Sequence, residues 1–114
     1  MSQGSEHEPL ELITAIVRRG KANEIAHAAV EAGAHAVTIH HARGIGAGEH
    51  LHFFGVAIHS EKEMLFTVVP ESLAEKVYDT IVEKGRLHEH GTGFIFMQAV
   101  KRASGKVSHT LETD

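Results

Sequence analysis

Hydrophobic and polar positions along the chain fall into the same two rhythms twice over. Residues 10–17, LELITAIV, form an unbroken β-branched run that reads as a first strand, closed by Arg18, Arg19 and Gly20. From 21 to 32 the apolar positions Ile25, Ala26, Ala29 and Val30 recur at helical spacing, and Gly33 stands where a C-terminal stop belongs. Over 36–42, Val37, Ile39 and His41 alternate with Thr38, His40 and Ala42, which predicts a second strand with two unlike faces. A third strand follows at 64–69. Pro70 then opens a helix with Glu71 in its first turn; Leu73, Val77 and Ile81 step by four along it, and Gly85 is its expected stop. The run 94–100, FIFMQAV, is apolar on both faces and is expected to lie centrally in the sheet.

Strand, helix, strand, long loop, strand, helix, strand is a doubled βαβ unit. Joined as a split βαβ it predicts an α+β, ferredoxin-like βαββαβ sandwich with both helices on one face of an antiparallel sheet. So short a chain has little left to cover the other face, so burial against further copies of itself is expected. The organisation reads as a flexible leader over 1–9, one domain over 10–107 and a polar tail over 108–114. Between 44 and 60 lies an excursion, GIGAGEHLHFFGVAIHS, whose Leu51, Phe53 and Phe54 are expected to dock on the body or on a partner.

Composition narrows the function. The 114 residues suit one domain, and a net charge of -4 with both signs interspersed argues against a nucleic-acid surface, leaving room for a small anion held by a local patch. Zero cysteines exclude disulfides, thiol nucleophiles and cysteine zinc sites. No run of about 20 apolar residues and no signal-like amino terminus is present, so a cytoplasmic setting is expected. No G-x-S-x-G elbow or paired acid and base stands out, which argues against an enzyme. Histidine is unusually frequent at 11 copies. His50 with His52, and His88 with His90, each share a face in extended chain; beside Glu49 and Glu89 they give the alternative reading, a histidine-rich metal-binding or metal-responsive protein taking Zn, Ni or Cu.

The candidate site lies at two glycine turns. Arg43 precedes Gly44, Gly46 and Gly48, and Gly91, Thr92 and Gly93 introduce the last strand. Backbone amides in such turns can donate to phosphate oxygens while arginine offers a planar charged fork. Neither segment is GxxxxGK[ST] or GxGxxG, so P-loop and Rossmann sites are disfavoured. Lys101, Arg102 and Lys106 are candidates to close over phosphates from the carboxyl side. Arg18 and Arg19 stand at a subunit boundary or simply end the first strand.

From about Leu10 to Val100 the chain resembles the PII signal-transduction family. The likeness rests on the glycine-closed first helix followed by VTI, the RGIG turn, the restart into LFTVV and the GTGFIF turn and strand. It implies a homotrimer, a non-catalytic regulatory role and an adenine nucleotide (ADP, AMP or ATP) bound between subunits. Carried onto this sequence, it implicates Thr38, Arg43, Gly44, Gly46, Val68, Gly91, Thr92, Gly93 and Arg102 in the nucleotide site. Three departures stand out. Phe94 replaces the family's lysine after the second turn, Gly48 replaces a glutamine, and Tyr78 in the second helix is the sole tyrosine, so the loop lacks the modified one. The loop ending in FFGVAIHSEKE is similar to divergent members, which implies a regulated partner such as a membrane transporter.

Overall fold

Nine residues of β1 (Leu10–Arg18) form the centre of the structure, because they are paired on both sides. The computed structural model describes residues 8–44, 51–53, 56–58 and 60–105. Along them run β1, α1 (Ala22–Glu31), β2 (Thr38–Gly44), β3 (Leu51–Phe53), β4 (Val56–Ile58), β5 (Ser60–Pro70), α2 (Glu71–Gly85) and β6 (Gly93–Val100). The main sheet has the order β2-β5-β1-β6 with every pair antiparallel, and β3 pairs with β4 in a separate two-stranded ribbon. This is the expected ferredoxin-like plan with an extra ribbon inserted between β2 and β5.

Period-two alternation assigns each strand residue to a face. Ile13, Ala15 and Val17 of β1 and Leu65, Thr67 and Val69 of β5 turn towards the helices and are buried. They meet Ile25, Ala26 and Ala29 of α1 and Ala74, Val77 and Ile81 of α2, with Ile39, Ile95 and Met97 packed at the margin. The small residues of α1 let that helix lie close to the sheet. Val30, read from spacing as part of this face, is instead 48% exposed. Thr67 is buried because its hydroxyl donates to the Ala36 carbonyl at 2.6 Å, pinning the turn between α1 and β2 onto β5.

The last strand departs from expectation. β6 pairs with β1 alone and lies at an edge of the sheet. Its two apolar faces have different causes: Ile95 and Met97 pack on the core, whereas Phe94 and Phe96 stand on the opposite face, 63% and 38% exposed. That face also carries Ile16, Met64, Phe66 and Val68, and the helices leave it uncovered.

Boundaries shift in ways that affect the site. β2 runs on to Gly44, so Arg43 and Gly44 are paired strand residues and not the start of a turn. β5 begins at Ser60 and is longer than the expected third strand. Gly85 is the last residue of α2, and the left-handed position belongs to Arg86 at φ 56°. A Cβ on Gly85 would lie 3.1 Å from the Ile25 side chain and 3.2 Å from Leu87, so this glycine provides space between the helices and not a turn. The leader expected over 1–9 is docked at its end: Pro9 accepts from the Glu71 N–H at 2.8 Å, and Glu8 accepts from the Ser72 N–H at 2.8 Å. Residues 1–7 and the tail from 106 lie outside the described residues.

Candidate functional site

One end of the main sheet gathers the end of β2, the start of β5, the end of β1 and the start of β6. At one edge Arg43 is registered with Glu61 and Gly44 with Ser60. At the other, Gly93 is registered with Val17. Two strands, β5 and β1, stand between these edges, so the Arg43–Gly44 strand end and the Gly91–Gly93 turn are about 14 Å apart across the sheet at roughly 4.8 Å per strand step. Among the described residues, one chain does not bring the two together.

The second turn is held from three sides. After the left-handed Arg86, the Leu87 N–H returns to Val82 and the Glu89 N–H to Arg86, while the Arg86 guanidinium pairs with Glu89 at 2.9 Å. The Thr92 hydroxyl lies 2.8 Å from the Arg86 carbonyl and 3.0 Å from that of Glu89, so its single proton is turned into the loop's own backbone. Gly91 and Gly93 adopt φ 81° and 150°, which favour glycine. At Gly93 the requirement is also steric, since a Cβ would stand 2.3 Å from the Ile16 carbonyl oxygen. Arg18, at the end of β1, donates from Nε to the Gly91 carbonyl at 2.8 Å. Pattern reading left Arg18 between two roles, because its neighbour in space is 73 positions away in sequence.

The remaining implicated residues lie elsewhere. Thr38 and Val68 occupy the uncovered face on adjacent strands, diagonal to each other, with Thr38 registered against Phe66. Six residue steps along the strand, about 20 Å, separate Thr38 from Gly44. Arg102 follows β6, whose last residue Val100 is registered with Leu10, so it emerges at the opposite end of the sheet from Gly91–Gly93. Gly46, His50, Phe54 and Lys106, and the side chains of Leu51, His52 and Phe53, lie outside the described residues. Among those described, no group of three or more histidines and carboxylates is placed to hold a metal ion. His40 and His41 face opposite ways, as alternation predicts: His40 meets the Phe66 ring edge-on at 5.8 Å, whereas His41 lies 3.6 Å from Glu63.

Glu63, which its charged surroundings in SEKE would place in solvent, is instead drawn into the structure. Its side chain is only 12% exposed, and one oxygen accepts from the Gly20 and Ala22 N–H groups at 3.0 and 2.9 Å. Because Lys21 at the helix start provides no side-chain cap, a carboxylate from β5 satisfies those amides and fixes α1 to the sheet end that carries the turns.

A family model described as nitrogen regulatory protein P-II matches residues 10–106. The chain belongs to the P-II family. This P-II protein is accordingly a regulatory, non-catalytic signalling protein. Among solved structures it is similar to Arabidopsis thaliana PII bound to citrate, with 26% identity over 90% of this chain and 92% of that one and a TM-score of 0.66. It also shares its fold with a Bacillus cereus protein related to NIF3, at 19% identity and a TM-score of 0.64, covering 83% of the P-II chain but spanning only 26% of that longer protein. No curated protein sequence matches it. Among the described residues no helix is long and apolar enough to cross a membrane.

Proposed function

We propose that this P-II protein is a cytoplasmic homotrimer that binds an adenine nucleotide in clefts between its copies. Through its 44–60 loop it then regulates a partner, a membrane transporter or another protein. The observation that carries the reading is that Arg43–Gly44 and Gly91–Gly93 stand on opposite edges at one end of the sheet. A ligand needing both must be shared by two chains, with the Arg43 edge of one copy meeting the Gly91–Gly93 edge of the next. The uncovered apolar face supports association as well, because an exposed patch of this kind is costly to leave in water. The citrate held by the Arabidopsis relative supports a site that accepts small, multiply charged anions.

Phe94 stands where a charge-assisted phosphate contact would otherwise be made, so AMP and ADP compete well with ATP in this reading. The pairing of Gly44 with Ser60 brings the two ends of the loop together, with the β3–β4 ribbon between them. Nucleotide at the loop base would therefore reduce the cost of ordering the segment before a partner binds. This is the form the proposal takes for a divergent member with a modified signalling loop. Titration calorimetry with AMP, ADP and ATP tests it: saturable binding of at least one is expected, and no binding of any at about 1 mM would overturn the reading.

A further inference from the structure

The Gly91–Gly93 turn has a cation of its own chain laid along it. Arg18 spans from the end of β1 to this turn, its Nε bound to the Gly91 carbonyl at 2.8 Å. Its Nη2 lies 3.3 Å from the point that a Cβ on Gly91 would occupy, so the guanidinium fills the space this glycine leaves open. A guanidinium carries five N–H donors in a planar fork, and this contact uses one. Arg18 is exposed, and among the described residues no carboxylate pairs with it. The acids nearby are otherwise engaged: Glu89 with Arg86, and Glu63 with the start of α1. Between Gly91 and Phe94 no side chain offers a charge, since the Thr92 hydroxyl is turned inward and Phe94 is apolar.

We propose that Arg18 grips the phosphate of a nucleotide seated at Gly91–Gly93, its Nη donors on the ligand and its Nε holding the turn. The inference deepens the nucleotide reading above and rests on it. It assigns the charge that Phe94 does not carry to a strand on the other side of the turn. An arginine suits both tasks at once because its fork can bond a carbonyl along one side and a phosphate along another.

The test is a calorimetric titration of the wild type, Arg18→Gln and Arg18→Lys with ADP and with adenosine, beside thermal unfolding of each protein. Arg18→Gln should weaken ADP on the order of 10- to 100-fold and leave adenosine within about twofold, as expected for loss of a charged hydrogen bond. Arg18→Lys should fall between, keeping the charge without the fork. The salt dependence of ADP affinity should flatten in Arg18→Gln, which loss of turn shape alone would not cause. Equal weakening of ADP and adenosine, or ADP affinity unchanged, would overturn the inference while leaving the nucleotide reading intact. A wild type that binds neither would remove both. If Arg18→Gln does not fold, Arg18→Lys decides: ADP affinity and salt dependence like those of the wild type count against a direct phosphate grip through the fork.

Discussion

At Gly93 a single methyl group would collide with the backbone of the neighbouring strand. A Cβ there stands 2.3 Å from the Ile16 carbonyl oxygen, on a residue already at φ 150°. Gly93→Ala should therefore lower stability by on the order of 2–4 kcal/mol in urea unfolding. Gly44→Ala, with nothing within 4 Å of its Cβ, should change stability by no more than about 0.5 kcal/mol. Gly44 and Gly93 looked alike in sequence, and of the two only Gly93 proves sterically compelled. Glu63→Ala should cost about 1–2 kcal/mol by leaving the Gly20 and Ala22 amides without their acceptor. Nothing in the sequence marks Glu63 among its neighbours, because its bonds run to residues 41 and 43 positions away. Spacing rules see contacts within a turn of helix or a pleat of strand, and this one is neither.

Each helix begins on a carboxylate brought from another part of the chain. For α2 the carboxylate is Glu8, whose charged form is favoured by hydrogen bonds from Ser72, the hydroxyl first and the N–H second, so that its pKa is held below the ordinary 4.5. The folded value thus lies below the unfolded one. Its contribution to stability is present above the ordinary value and is lost as pH falls through the folded one. Thermal unfolding between about pH 3 and 6 should show Glu8→Gln to have a shallower acid limb than the wild type, and identical limbs would refute this role. The elements themselves were legible, because burial on one face writes its period into the sequence: α1, α2 and β1 fall within a residue or two of the expected bounds. The edge position of β6 was not. An exposed Phe94 and a buried Ile95 have the same apolar signature, and strand order is fixed by partners that pattern does not name.

At the scale of the molecule, the sheet face away from the helices carries large apolar side chains that the helices leave uncovered. Phe94 and Phe96 lie on it with ring centroids 6.0 Å apart, and Val68, two strands away on the same face, is 39% exposed. Replacing both phenylalanines by serine should leave the far-ultraviolet circular dichroism intact, since neither is in the core. If this face joins the copies, light scattering should move from about three times the 12.4 kDa chain mass towards a single chain. An unchanged mass would place the joint elsewhere. The opposite-edge arrangement of the two turns also has a counting consequence. Copies joined edge to unlike edge in a closed ring present as many complete sites as chains, whereas an open row always wastes one half-site at each end. If the ligand is shared between copies as proposed, the amount bound per chain at saturation reports closure: one for every chain from a ring, fewer from a row, and none from a chain alone.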